Sequence, residues 1–80
     1  MTANEINTKA KEYCDTEYRT TETLWNYQKG NYYHDKNMAL SSLHRCLGIV
    51  QFVQTCGVEY EEVAWYDDLR EKYYENFLDT

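Results

Sequence analysis

Apolar side chains recur along the chain at intervals of three and four residues, which places them on one face of an α-helix. Three stretches carry this pattern: residues 3–28, residues 38–56, and a stretch that begins near residue 58. Gly30 follows the first stretch and Gly57 follows the second. Glycine favours the left-handed backbone that closes helices. The pattern predicts an all-α fold, a small three-helix bundle formed by a single domain.

The predicted helix ends carry side chains suited to capping. Thr2, followed three residues later by Glu5, forms a capping box. Asp35 and Asn37 are two candidate N-caps for the second helix. Almost no chain other than Gly57 separates the second helix from the third, so we expect these two helices to fold back as a tight antiparallel hairpin.

The first helix is longer than the others. At 1.5 Å per residue, roughly 26 residues span about 39 Å, whereas each of the other helices spans about 30 Å. The helix must therefore project or break. The run RTTET, residues 19–23, is rich in β-branched threonine, which lowers helix propensity. We predict a kink or break there, and a break would make TLWNYQK a short fourth helix.

The second helix is apolar around most of its circumference, far more than a surface helix requires. We therefore expect it at the centre of the bundle. Its remaining strip carries Ser41, Gly48 and Thr55 at seven-residue intervals, and such small side chains allow another backbone to approach closely. The first expectation is that this strip packs against the first helix. A seam between two copies of the chain and a ligand groove are the alternatives.

Aromatic residues are abundant, with nine tyrosines, two tryptophans and two phenylalanines in 80 residues. Tyrosine offers rigid contact area with a polar tip and is enriched at interfaces. Three helices cannot cover all of this surface, so we expect a homo-oligomer, most simply a dimer. Tyr32, Tyr33 and Tyr74 are the candidate contact residues. The alternative is that individual rings lie half-buried along helix flanks.

The net charge of −6 arises at the C-terminal end of the chain. Residues 58–80 hold eight carboxylates and two cations, whereas residues 38–57 contain no carboxylate. We define the acidic ridge as Glu61, Asp68, Glu71 and Glu75. Such a surface attracts a basic partner and repels nucleic acid. The ridge predicts a protein partner with a basic surface and no direct nucleic-acid binding; a solvated face that maintains solubility is the alternative.

Charged residues also lie on arcs that the helical pattern directs toward the core. Glu17 lies within the apolar arc of the first helix, Arg45 borders that of the second, and Arg70 falls among the apolar positions of the third. Unpaired buried charges are very costly. We expect Glu17 to pair with Arg45 or Arg70, and Asp67 to support Arg70. Arg70 as an anchor in an interface, or as part of a small-anion site, is the alternative.

No catalytic, metal or cofactor motif is present. His34 and His44 and the three cysteines have no ligand spacing. The odd cysteine count fits free thiols in a reducing compartment. No apolar run approaches about 20 residues, and the first residues lack signal-peptide architecture. We expect a non-enzymatic cytoplasmic protein without a membrane span.

In size, acidity and helical content the chain resembles bacteriocin immunity proteins and phage-encoded anti-CRISPR or other anti-defence proteins. The resemblance concerns the class of protein and no motif. It implies a small inhibitor that covers a basic or nucleic-acid-binding surface of a larger target. The alternative function is an oligomeric binder or sponge for an anionic nucleotide, held by Arg45 or Arg70 and stacking tyrosines.

Overall fold

The computed structural model describes residues 1–28 and 35–79. Within these residues the fold is all-α, as predicted, and contains no strand. Its elements, in chain order, are α1 (Ala3–Gln28), α2 (Lys36–Thr55), a 3₁₀ turn (Tyr60–Val63), α3 (Trp65–Tyr73) and a π-helical turn (Tyr74–Leu78).

Helix α1 begins at the predicted capping box and does not break. The Thr2 hydroxyl accepts a hydrogen bond from the Glu5 backbone nitrogen at 3.2 Å, and the Glu5 carboxylate accepts one from the Thr2 backbone nitrogen at 3.4 Å. The predicted break in residues 19–23 is wrong. The hydroxyls of Thr21 and Thr23 donate to the carbonyls four residues back. They add to the helical bonding instead of replacing it, and TLWNYQK is not a separate helix.

Helix α2 has the predicted caps. Of the two candidate N-caps, Asp35 accepts from the Met38 backbone nitrogen at 3.0 Å. At the other end Gly57 has a φ of +98°. The Gly57 nitrogen donates to the Gln54 carbonyl and the Val58 nitrogen donates to the Val53 carbonyl. This is a Schellman motif with its usual apolar contact, because Val53 and Val58 are buried in the same cluster. The tight hairpin is confirmed.

The third helical stretch is a composite rather than one α-helix. A 3₁₀ turn precedes Ala64, nine α-helical residues follow, and the last turn is widened, with the Asp79 nitrogen donating to the Tyr74 carbonyl five residues back. The apolar stripe predicted for this stretch is largely correct, since Val63, Leu69, Tyr73 and Phe77 are buried. The change of helix type alters where the charged residues between them point.

The core consists of two clusters along the bundle. The cluster near the hairpin is aliphatic and contains Ala10, Val50, Val53, Val58 and Val63. The other cluster is aromatic and sulfur-rich and contains Cys14, Trp25, Ala39, Leu43, Cys46, Leu69, Tyr73 and Phe77. Trp25, near the end of α1, packs on Phe77 with ring centroids 5.2 Å apart. Both clusters include residues from α1 and from α2. Helix α2 is less enclosed than its apolar circumference predicts, because Leu47 and Phe52 are exposed.

None of the helices in residues 1–28 and 35–79 combines the length and the apolar character that a membrane crossing requires.

Candidate functional site

A polar cluster lies at the centre of the bundle, where α1, α2 and α3 meet. The Ser42 hydroxyl is 2.7 Å from the Tyr73 hydroxyl and 2.8 Å from the Thr21 hydroxyl. Ser42 and Tyr73 are fully buried and Thr21 nearly so. Thr21 also donates to the Glu17 backbone carbonyl, and Ser42 contacts the Glu17 carboxylate at 3.5 Å. The cluster joins all three helices through one serine.

This cluster has fewer hydroxyl hydrogens than hydrogen-bonding contacts. Thr21, Ser42 and Tyr73 each carry one hydroxyl hydrogen, whereas the contacts of these hydroxyls with one another and with Glu17 are four. The 3.5 Å contact between Ser42 and Glu17 is the longest of them, and it is the one most easily left without a proton. Burial raises the pKa of the Tyr73 hydroxyl to about 12, so this group remains a neutral donor or acceptor at physiological pH.

Glu17 forms an ion pair with Arg45 at the edge of this cluster. The Arg45 Nε atom lies 2.6 Å from Glu17 Oε1, and Nη2 contacts the same oxygen. This hydrogen bond raises the pKa of Arg45. The Glu17 side chain is 18% exposed and the Arg45 side chain is 55% exposed. The pair therefore lies between the buried hydroxyls and solvent. It is a structural ion pair that joins α1 to α2.

The other two residues expected in this network lie elsewhere. Arg70 and Asp67 are exposed, and the Arg70 guanidinium carbon lies 5.2 Å from the centroid of the Tyr74 ring, a cation–π contact. The expectation that Asp67 supports Arg70 is also wrong, because within the described chain no salt bridge joins them.

The position of Arg70 follows from the break in helix type. If one α-helix ran on from Val63, Val63 would widen the apolar arc of that helix, and Arg70 would lie inside the arc. Val63 instead belongs to the 3₁₀ turn, so the arc of α3 is defined by Leu69 and Tyr73, with Tyr66 half-buried at its edge. At about 100° per residue, Arg70 then lies beyond that edge. The sequence pattern alone did not reveal the change from 3₁₀ to α-helix.

The acidic ridge lies entirely on the surface. Glu61 belongs to the 3₁₀ turn, Asp68 and Glu71 to α3, and Glu75 to the π-helical turn. All four are exposed. Glu61, Asp68 and Glu75, which follow one another at seven-residue intervals in the sequence, therefore do not lie on one continuous α-helix. All four side chains belong to the C-terminal segment of the fold.

Of the tyrosines predicted to contact a partner, Tyr74 is half-buried beneath Arg70, and Tyr32 and Tyr33 lie outside the described residues. A groove of about 350 Å³ adjoins Tyr74. Arg70 contributes one cation to its lining, against the carboxylates of Glu71, Glu75 and Asp79. The groove is therefore acidic.

The strip of small residues on α2 does not pack against α1, so the first expectation for it is wrong. Ser41, Gly48 and Thr55 are exposed, and a Cβ atom at Gly48 would meet no atom within 4 Å. The strip faces outward because the buried side of α2 consists of residues at other helical positions: Ala39, Ser42, Leu43, Cys46, Val50 and Val53. Beside the strip, Phe52 is 64% exposed and Tyr13 is 49% exposed.

Two asparagines that carry much of the interhelical bonding had no signal in the sequence pattern. Asn7 accepts from the Trp65 indole nitrogen at 3.0 Å and donates to the Glu62 carbonyl at 2.8 Å. Asn76 donates to the Tyr18 hydroxyl at 2.7 Å. Both side chains join α1 to the C-terminal segment. Exposed or half-buried polar residues on a helix resemble ordinary surface positions until the opposing element is known.

The cysteines are free, with Cys14 and Cys46 buried and Cys56 exposed. A hydrogen bond with Cys46, together with burial, raises the pKa of the Cys14 thiol. A protonated, buried thiol is a poor nucleophile. No cluster of three or more potential metal ligands occurs in the part of the chain that the structure describes.

The chain matches no protein-family model, and it has no significant match among curated proteins or solved structures.

Proposed function

We propose that this protein is a non-enzymatic binder of a larger protein that has a basic surface. The acidic face that would make this contact comprises the acidic ridge and the neighbouring carboxylates of the C-terminal segment. In this account the protein works by occupying that basic surface, and its natural competitor is the nucleic acid or other polyanion that the target binds.

The observation that supports the proposal is a concentration of uncompensated charge. Residues 58–79 contain eight carboxylates, and all eight are exposed. None of them forms a salt bridge within the described residues, where both ion pairs involve carboxylates of α1 instead. Like charges held close together repel, and a basic partner removes that repulsion while accelerating association.

Inhibition is the action that fits such a surface. A standard protein interface covers about 800 Å² on each partner. An acidic face presents to a nucleic-acid-binding protein the charge that its own ligand presents. The class resemblance to immunity and anti-CRISPR proteins supports the same action.

The alternative function, an anionic-nucleotide binder built on Arg45 or Arg70, has less support. Arg45 is already paired with Glu17. Arg70 lies in a groove with three carboxylates, where an anionic ligand would be repelled. Neither arginine therefore offers the uncompensated positive charge that such a ligand needs.

The proposal is tested with two variants that change the net charge equally. Asp68→Asn/Glu71→Gln neutralises two carboxylates of the acidic ridge, whereas Glu12→Gln/Glu22→Gln neutralises two exposed carboxylates of α1. Each tagged protein is purified from its own host at low salt, and the co-purifying proteins are identified. We expect a basic protein to accompany the wild type and the α1 variant but to be lost from the ridge variant. Equal retention by both variants would contradict a role for the ridge.

A further inference from the structure

A second charged surface, opposite in sign to the acidic ridge, lies between α1 and α3. It is a groove of about 380 Å³ lined by Lys11, Asp15, Tyr18, Arg19, Leu69 and Lys72. Three of the eight lysines and arginines in this acidic chain thus line one groove.

The positive charge of the groove is only partly compensated. Lys11 pairs with Asp15 at 3.0 Å. Arg19 donates through Nε to the Asp15 backbone carbonyl at 3.4 Å, a contact that leaves its charge unneutralised. Neither Arg19 nor Lys72 forms a salt bridge with any carboxylate of the described residues. Arg19 and Lys72 are therefore available to a bound anion, in a groove where the Glu22 and Glu75 carboxylates also act electrostatically on the Tyr18 hydroxyl.

Lys72 does not pair with the carboxylates of its own segment. Asp68 precedes it by four residues and Glu75 follows it by three, both at spacings that favour ion pairs on a helix. Its Nζ atom instead lies 5.8 Å from the centroid of the Tyr18 ring on α1. This contact directs the ammonium group toward the cations of α1.

Tyr18 gives the groove a fixed wall. Its hydroxyl accepts a hydrogen bond from the Asn76 amide nitrogen at 2.7 Å and lies 3.4 Å from the Glu22 carboxylate. Its ring packs against Tyr73 and Phe77, with centroids 5.4 and 5.6 Å away. Burial raises the pKa of its hydroxyl. The ring is therefore held by the core, and Leu69, which is buried, adds apolar lining beside it.

We propose that this groove binds a small doubly charged oxyanion of the phosphate monoester class. Arg19 and Lys72, which have no ion-pair partner among the described residues, together match the charge of a dianion. The planar guanidinium of Arg19 suits bidentate contact with phosphate oxygens, and Lys72 provides a point charge from the opposite helix. The apolar lining from Tyr18 and Leu69 accommodates the organic part of the ester. None of the acidic ridge residues lines this groove, and the proposal does not depend on the protein partner proposed above.

The test uses phenyl phosphate as the probe and phenyl sulfate as its control. Both have the same ring, but the sulfate ester carries a single negative charge throughout the pH range, whereas the second pKa of a phosphate monoester is about 6. Binding is followed by NMR shifts of the backbone amides of the full chain. We expect saturable shifts in the groove with phenyl phosphate at pH 8, weaker binding at pH 5.5, and far smaller shifts with phenyl sulfate at both pH values.

Matched variants locate the site. Arg19→Gln and Lys72→Gln alter exposed side chains, and each is expected to weaken binding roughly tenfold, the effect of losing one charge-assisted contact. Lys9→Gln changes the net charge equally, but Lys9 lines a different groove, so binding is retained.

Three results would overturn the assignment. They are the absence of saturable binding, equal weakening by all three variants, and tighter binding of a tetraglutamate peptide than of phenyl phosphate. The last result would identify an acidic protein segment as the occupant.

Discussion

The hydroxyls of Ser42 and Tyr73 lie 2.7 Å apart, and both side chains are fully buried. Ser42 also contacts Thr21 and Glu17 of α1. Its hydroxyl therefore joins α2 to both α1 and α3. A buried hydroxyl that loses its partner costs more than the hydrogen bond contributes, because the desolvation is no longer compensated.

This connection predicts an order of effects for two conservative substitutions. Tyr73→Phe removes one hydroxyl and leaves Ser42 with Thr21 and Glu17 as partners, so we expect a loss of about 1 kcal/mol in the free energy of unfolding. Ser42→Ala takes one partner from each of two buried hydroxyls, Thr21 and Tyr73, although Thr21 keeps its bond to the Glu17 carbonyl, and we expect a loss of about 2 kcal/mol. Urea denaturation of both variants measures the difference. Tyr60→Phe, at an exposed tyrosine, is the control and should change little. A larger loss for Tyr73→Phe than for Ser42→Ala would contradict the assignment of Ser42 as the central partner.

Tyr73 also predicts the behaviour of the protein in alkali. Burial raises the pKa of its hydroxyl from 10.0 in the unfolded reference to about 12 in the folded protein. Between these values the unfolded chain releases a proton that the folded chain retains, so stability is complete below pH 10 and falls as the pH rises toward 12. Urea unfolding at pH 9, 10 and 11 should show this decline. It should be shallower in Tyr73→Phe, and an equal decline in that variant would exclude Tyr73 as its cause.

The two described glycines are expected to respond in opposite directions. Gly57 has a φ of +98°, which alanine adopts only with strain, so Gly57→Ala should destabilise the fold by about 1 kcal/mol or more. Gly48 is helical with open space around it, so Gly48→Ala should stabilise the protein by about 0.5–1 kcal/mol. Thermal unfolding gives both values. Destabilisation by Gly48→Ala would mean that another backbone packs on the small-residue strip of α2.

Loss of the Glu17 carboxylate should have a moderate effect. Glu17→Ala removes the partner of Arg45, but the arginine side chain is more than half exposed and water can solvate it. We therefore expect a loss of about 1 kcal/mol, part of it from the contact with Ser42. Glu12→Ala, at an exposed position on the same helix, should stay within about 0.5 kcal/mol of the wild type. An unchanged urea midpoint for Glu17→Ala would show that the pair contributes nothing to stability.

Much of the fold was predictable because local chemistry determined it. The capping box at Thr2, the Asp35 cap and the left-handed Gly57 each follow from a side chain or backbone preference that acts within a few residues. The apolar period located the buried residues of α2 and the C-terminal segment for the same reason. The threonine run in residues 19–23 led to the wrong prediction of a helix break, because helix propensity is a weak preference that tertiary packing overrides. Thr21 of this run is buried at the centre of the bundle.

The candidate sites were less predictable because they depend on relations between elements. The pairing of Glu17 with Arg45 follows from the cost of a buried charge, but the choice between Arg45 and Arg70 required the helix orientations. The groove between α1 and α3 brings Arg19 and Lys72 together from positions 53 residues apart, counted as 72 minus 19. The acidic ridge was evident from charge counting alone, because a concentration of like charge needs no fold to be recognised.

Native mass spectrometry shows whether the acidic ridge binds a basic protein. The protein is purified from its own host and measured at low and at moderate salt, beside the Asp68→Asn/Glu71→Gln variant. We expect the wild type to form a complex with a larger basic protein at low salt and to release it as salt screens the charges. We expect no complex for the variant. A wild-type protein that carries no partner at low salt, or a complex that the variant retains, would contradict binding through the acidic ridge.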